Sequence, residues 1–578
     1  MRHRPIVYGN RHIVSAGHHL AAQAAFSILE KGGNAVDAGV GAVVTLAVVQ
    51  PDMVNVAGVS PMMIYLADRR ETVTIDGLGV WPRAASVEYF VKNHDGQIPE
   101  GLLRAVVPAA PDAWLTALER YGTMSFGDIA AEPIRLARQG FATHSLMSDR
   151  IKEYRAGYER YPSNAEIFLA RGRPPEPGDP FVQVDLAGSL QYMVDEERAA
   201  AATGREAGLA AARRAFYQGD IARRIDKFSV ETGGLIRYSD LAGYRVTVEP
   251  PLSATYKGLE VKTCGPWCQG PLLLQILKLA EHCGLREHGH NTPAYIHHFA
   301  EIIKLSFADR EHHYGDPKQV HVPTAELISA RYAAVRAGLI DARRAAPELP
   351  PAGEPTSFGA HVKSPRPAPK AWPLPTAMVN EPVLADTSYA CVVDRHGNVF
   401  SGTPSDASWD GVVVPGTGLT PSTRGCQSRV DPAHPSSVGP GKRPRLTPNP
   451  AIVFKDGLPI LPIGTPGGDV QVQAMAQVIM NIFEFGMDVQ SAVEAPRFMS
   501  QSFPNSFAPH QYFPGRLNLE PRLGQRRGRE LGQLGHVVYW WPDWFWRFGS
   551  VCTILIDRER GFMHAGADPR QESYAVGW

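Results

Sequence analysis

Asp386-Thr387 stands at the head of a short apolar run, Ser388-Tyr-Ala-Cys-Val-Val-Asp394, directly behind a proline-rich stretch. A threonine hydroxyl is a poor nucleophile unless a base lies beside it. One way to supply that base is to cut the peptide bond before the threonine. Thr387 would then be N-terminal, and its own α-amine, of pKa about 7.7–8.0, could take the hydroxyl proton. Taken alone, the same dipeptide is an ordinary strand opening. Other candidates are weaker. Cys264 and Cys268, with three residues between them, make an incomplete zinc spacing with no second pair. Cys268 as a nucleophile has no implied base. The pairs His18-His19, His297-His298 and His312-His313 are dispersed and read as ordinary helix or core histidines. There is no P-loop, no dinucleotide fingerprint, no His-Glu-x-x-His and no Gly-x-Ser-x-Gly elbow.

The elements that must position Thr387 are partly legible. Residues 14–50 predict a helical hairpin broken at Gly32-Gly33-Asn34, whose second helix is apolar throughout. Met62–Leu66 and Val73–Ile75 predict short strands around a charged turn. Helical patterns dominate from about 110 to 345, among them Leu272–Leu279 and Ala294–Ala308. From Pro347 to Pro382 there are ten prolines, which exclude a continuous helix or central strand. That stretch is either a linker or a segment that delivers one particular bond to a site. Thr387–Asp394, the turn His396-Gly-Asn398 and Val399–Ser401 then predict a hairpin.

Composition narrows the classes. With 58 Lys+Arg against 58 Asp+Glu in 578 residues, the chain lacks the charge excess that drives non-specific binding to nucleic acid or acidic membranes. The cluster Arg526, Arg527 and Arg529 reads as a solvated helix face. The longest apolar run, Ala38–Val49, is shorter than the roughly 20 residues of a membrane span. No secretory signal is evident, and six cysteines in so long a chain do not form a disulfide framework, so a reduced, cytoplasmic protein is expected.

Six ordered motifs resemble the gamma-glutamyltransferase family of N-terminal-nucleophile hydrolases. They are Lys31-Gly-Gly-Asn-Ala-Val-Asp37-Ala; Phe307-Ala-Asp-Arg310 with Gly315-Asp-Pro317; Asp386-Thr387-Ser388 with Val392-Val-Asp394 and Gly397-Asn398; Pro440-Gly-Lys-Arg-Pro444; Gly464-Thr-Pro-Gly-Gly468; and Gly566-Ala-Asp-Pro-Arg570. The resemblance implies an α+β fold, a four-layer αββα sandwich, made as one chain. It further implies self-cleavage into residues 1–386 (with 345–386 as the proline-rich lead to the cut) and 387–578, about 42 and 21 kDa of the 63.0 kDa. Thr387 would be the nucleophile, first on the Asp386 carbonyl and then on a substrate amide. Gly467 and Gly468 would supply oxyanion N–H groups, and Ser405 the hydroxyl beside the nucleophile. No metal or organic cofactor is implied. The expected partners are a small-molecule amide and the two fragments of the precursor, with a homodimer of processed pairs as one assembly the family admits.

The departures bear on specificity. Where the family holds a glutamyl α-carboxylate with an arginine, this chain has Leu78 within Asp76-Gly-Leu78-Gly-Val-Trp-Pro82. The family's serine pair is Leu446 and Thr447 here, its asparagine past the activating hydroxyl is Ala407, and its amine-binding stretch aligns with Ser422-Thr-Arg424-Gly-Cys-Gln427. Losing an arginine removes a charge-assisted, often bidentate hold on a carboxylate, while Arg424 adds a cation elsewhere. These changes favour an acyl group bearing a carboxylate near Arg424, with Thr447 and Asp406 as further substrate contacts, over a standard γ-glutamyl group. Oxamate amidohydrolases and cephalosporin acylases are the relatives this suggests. Arg424 paired instead with Asp406 or Asp410, a true gamma-glutamyltransferase, and an inert relative used for binding are the alternatives. The aromatic run Tyr539–Trp546 reads as core packing or as an apolar substrate wall.

Overall fold

The computed structural model describes residues 3–371, 373 and 386–578. Two seven-stranded antiparallel sheets lie face to face. The first runs Val7–Gly9, Phe562–Ala567, Cys552–Asp557, Leu458–Gly464, Ala451–Lys455, Leu259–Thr263, Leu252–Tyr256. The second runs Tyr574–Gly577, Ile13–Ala16, Ala390–Val393, Val399–Gly402, Met62–Leu66, Glu71–Ile75, Val248–Glu249.

Strand periodicity builds the layers. Cys391 and Val393 point into the space between the sheets and meet Ile452, Phe454 and Ile554, while Ala390 and Val392 point outward. Outward residues of the second sheet pack under the helices His19–Glu30 and Ala35–Val49. Val453, Leu461 and Ile463 of the first sheet pack under Gly270–Ala280, Pro293–His313 and Gln471–Phe483. Because both faces are covered, central strands such as Ile13–Ala16, Ala390–Val393 and Val399–Gly402 are buried at every position rather than at alternate ones. The result is the αββα sandwich.

Three expectations need correction. Residues 14–16 of the expected helical hairpin belong to the strand Ile13–Ala16, and the helices begin only at His19 and Ala35. Within the helix-rich region, Leu252–Tyr256 and Leu259–Thr263 form a hairpin on the edge of the first sheet, turned at Lys257-Gly258 with both residues at positive φ. The hairpin strand after the prolines begins at Ala390, not at Thr387. Thr387 has φ +95°, a conformation that cannot continue a ladder. The proline-rich stretch forms no helix or long strand over its described part. It lies against the helical layer, with Gly353 N–H donating to Asp309 (2.7 Å) and Arg336 to the Ala360 carbonyl (2.8 Å). Its end, residues 372 and 374–385, lies outside the described residues.

Among the described residues no helix is long and apolar enough to cross a membrane. All six cysteines are free thiols. Arg526 is exposed and pairs with Glu530 one turn on, as a solvated helix face would.

Candidate active site

Thr387 is fully buried at the N-terminal end of a central strand. Its N–H donates to the Met53 carbonyl (3.1 Å), and the Ser388 N–H donates to the Pro404 carbonyl (3.0 Å). These bonds hold a β-branched residue at φ +95°, a conformation costing roughly 1–3 kcal/mol that persists only where the surroundings impose it. The strained residue is the one on the C-terminal side of the Asp386–Thr387 peptide bond.

The Asp386 carbonyl accepts a hydrogen bond from the Gly467 N–H at 3.1 Å. Gly467 lies at φ +121°, and a Cβ there would sit 2.3 Å from Val470 Cγ1, so only glycine can present its N–H here. Gly468, at φ +60°, opens a single 3₁₀ turn, Gly468–Val470, that leads into the helix Gln471–Phe483. Two devices fix this turn. Val470 packs against Met499, Trp541 and Phe548, which places part of the aromatic run in the core. Asp469 accepts from Arg310 (2.5 Å) and from the Ser506 N–H (2.7 Å).

The Thr387 hydroxyl lies 2.5 Å from Ser405 Oγ and 3.2 Å from Asp386 Oδ1. Ser405 in turn reaches Asp386 Oδ1 at 3.3 Å and accepts a short bond from Arg424. Both hydroxyls therefore terminate on one carboxylate. Asp386 is held by an Arg424 Nη2 bond of 2.6 Å and by the Ala407 N–H at 2.9 Å.

Arg424 is buried and lies under the Phe507 ring, 5.3 Å from its centroid. Its Nε faces Asp406 at 3.3 Å, while its Nη2 edge serves Asp386. Asp410 belongs instead to Arg104 (3.1 Å) and accepts from Thr423 (3.1 Å). Burial drives the Asp406 carboxyl up to about 7. Arg424 opposes the rise, and the neighbouring Asp386 carboxylate adds to it. Burial likewise raises Asp410, against the pull of Arg104. The guanidinium of Arg424 is pushed further up by Asp386 and Asp406, which outweigh its own burial, so it stays charged.

Thr387, Ser405, Gly467, Asp386, Asp406 and Arg424 thus come together as one cluster. Thr447 is tied to a different partner: its N–H donates to Gln427 Oε1 and its hydroxyl accepts from Gln427 Nε2, both at 3.1 Å. Leu78 is buried between the sheets in the cluster that holds Trp267 and Leu446. The Ala407 N–H, the Met53 carbonyl and Arg104 were not anticipated. A backbone group carries no sequence signal, and Arg104 lies 306 residues from Asp410. Among the described residues, the one cluster of metal-ligand types is His297, Glu301 and His536. There the two histidines bond each other at 2.9 Å and Glu301 accepts from Lys304, so each group already has a partner.

The model of the gamma-glutamyltranspeptidase family matches residues 21–578. The chain belongs to this family. A glutathione hydrolase proenzyme from Bacillus subtilis (strain 168) is 29% identical across 100% of this chain and 93% of its own length. The acylase ACY 1 proenzyme of Pseudomonas sp. (strain SE83) is 31% identical across 92% and 88%. The solved cephalosporin acylase of Bacillus halodurans superposes with a TM-score of 0.84 at 26% identity, covering 100% of this chain and 98% of its own. The protein is therefore an N-terminal-nucleophile hydrolase of a family of proenzymes that act on amide bonds, and the reading as an inert relative falls away.

Within that family frame, the motifs recognised in the sequence are mostly clamps. Asp37 and Asn34 cap the helix Ala35–Val49, and Asp394 accepts from the Ala35 N–H at 2.9 Å. Arg443 grips Asp316 (2.8 Å) and Asp76 (2.9 Å), and Arg570 joins Glu520 (2.7 Å) to Asp568 (3.0 Å). The Ala35–Asp394, Arg443–Asp76 and Arg570–Glu520 contacts join segments remote in the chain.

Proposed function

We propose that this protein cuts itself between Asp386 and Thr387, and that mature Thr387 then hydrolyses amides whose acyl group carries a carboxylate. In the uncut chain no α-amine is free, so the acceptor of the Thr387 proton is the Asp386 carboxylate, reached directly or through Ser405. Thr387 Oγ adds to the Asp386 carbonyl carbon, and the negative charge that develops on the carbonyl oxygen is met by the Gly467 N–H. The C–N bond then breaks as the Thr387 nitrogen takes the proton, leaving an ester that water opens. The freed α-amine next serves as base for the same hydroxyl against a substrate amide.

The observation that carries the substrate reading is the Nη2 edge of Arg424, a buried cation beside the nucleophile that holds a carboxylate through charge-assisted bonds. Leu78, packed in the core, offers a γ-glutamyl α-carboxylate no charge. The glutathione hydrolase relative supports a second reading, γ-glutamyl hydrolysis, and one experiment decides between them. Mature enzyme is offered anilides of carboxy-acyl, γ-glutamyl and neutral acyl groups, and amine release is followed. Highest kcat/KM is expected for a carboxy-acyl anilide; a γ-glutamyl or neutral anilide turned over equally well overturns the reading.

A further inference from the structure

Asp386 is at once the residue whose carbonyl is attacked and the residue whose side chain fills the Arg424 site. Its carbonyl oxygen accepts from Gly467 N–H (3.1 Å), while its β-carboxylate accepts from Arg424 Nη2 (2.6 Å) and the Ala407 N–H (2.9 Å). Thr387 Oγ1 lies beside both groups, 3.2 Å from the carboxylate. Every one of these donors, and the nucleophile itself, sits downstream of the 386/387 bond. The only member of the arrangement upstream of it is Asp386.

Cleavage frees Asp386 and leaves the donor frame intact: an oxyanion N–H at one end and a guanidinium edge with a backbone N–H at the other. The frame is therefore spaced for an acyl group whose carbonyl and carboxylate are separated by two carbons, as the Cα and Cβ of aspartate separate them. We infer that the mature enzyme acts on monoamides of four-carbon dicarboxylic acids, and that Asp386 is a built-in image of that acyl group.

The charges agree with this. Without Asp386 the buried cluster holds Arg104 and Arg424 against Asp406 and Asp410, two cations against two acids. An incoming carboxylate restores the three acids of the uncut chain, and the raised Asp406 carboxyl accommodates it by holding a proton. The cavity beside the cluster, walled by Ala407, Trp409, Thr423, Cys426 and Phe507, is small with Asp386 in place. The reaction is simple acyl transfer. Thr387 Oγ bonds to the succinyl carbonyl carbon, and the C–N bond breaks with the amine taking the proton. Water then opens the ester to release the dicarboxylate and restore the hydroxyl.

The inference rests on the carboxy-acyl reading and is tested separately from it. The wild-type mature enzyme is given anilides of the oxalyl, malonyl, succinyl and glutaryl half-acids together with butyryl anilide. One methylene more or less changes discrimination by roughly 10–200-fold in a fitted site. The succinyl anilide is expected to lead both neighbours by at least about tenfold in kcat/KM, and free succinate to inhibit competitively more tightly than malonate or glutarate. If another half-acid leads while butyryl anilide is poor, the spacing argument is overturned and the carboxylate reading survives. If butyryl anilide matches the best half-acid, both fall.

Discussion

Replacing Asp386 with asparagine tests the first step, because it keeps the shape of the side chain and removes its charge. In the uncut chain the hydroxyls of Thr387 and Ser405 both end on Asp386 Oδ1, at 3.2 and 3.3 Å. A positioned general base typically contributes 10²–10⁴-fold, about 2.7–5.4 kcal/mol of barrier at about 1.36 kcal/mol per tenfold. Asparagine also weakens the charge-assisted bond from Arg424, a loss of about 1.5–3 kcal/mol in hydrogen-bond terms. Part of that loss is recovered because Arg424 keeps Asp406 at 3.3 Å. The variant should therefore fold, persist as the 63.0 kDa chain, and convert to fragments of about 42 and 21 kDa some 10²–10⁴-fold more slowly than wild type. Intact-mass time courses measure this, with activity rising in step with the fragments. Asp386→Glu is the companion: it retains the base but lengthens the side chain by one methylene, so it should mature at a rate between the two. Conversion of Asp386→Asn at the wild-type rate would refute the assignment of the base and would point to an acceptor outside the cluster.

Other outcomes follow from the same geometry. Gly467→Ala forces a Cβ to within 2.3 Å of Val470 at φ +121°, and mis-aiming that N–H should lower both the maturation rate and kcat by about 10²–10³-fold with a smaller change in KM. After cleavage the fragments should stay together through native gel filtration and part only in denaturant, because Ala390–Val393 pairs with Ile13–Ala16, Val399–Gly402 with Met62–Leu66, and Ala451–Lys455 with Leu259–Thr263. Separation in native buffer would contradict this interleaving. The pH dependence of anion binding has a definite sign. Asp406 faces Arg424, Asp386 and, beyond Thr423, the Arg104-bound Asp410, and stands at about 7 with a carboxylate on Arg424. Departure of Asp386 removes one cause of that rise, so the empty mature site holds Asp406 lower, and a bound anion raises it again. Binding thus takes up a proton, and succinate inhibition should weaken as pH rises toward about 7, a component distinct from any further weakening as the Thr387 α-amine loses its proton at about 7.7–8.0. A flat profile for the wild type, or one that Asp406→Asn leaves unchanged, would remove Asp406 from this role.

By itself, the sequence determined the features whose physics is local. The apolar run Ala35–Val49, closed by the Asn34–Asp37 cap, could only be a buried helix. The turn His396-Gly-Asn398 set the hairpin that follows the nucleophile, because Gly397 takes the positive φ the turn requires. Thr387, Ser405 and the Gly467 turn were recognisable from motif order, since each motif carries its own backbone demands. Tertiary structure decided everything that depends on which remote groups share a low-dielectric space. The edge hairpin at 252–263 was hidden because its strands gain their stability from Ala451–Lys455, far along the chain. Thr447 was aligned with a substrate contact yet spends its hydrogen bonds on Gln427. Arg424 was legible as a cation, but its division between Asp406 and Asp386 was not. Both pairings were open to a flexible arginine, and only burial of all three side chains, with Phe507 over the guanidinium, makes it serve both at once. The positive φ of Thr387 belongs to the same class. No local preference puts a β-branched residue there, and it exists because the Met53 and Pro404 carbonyls hold the N–H groups of Thr387 and Ser388, on either side of the Thr387 Cα.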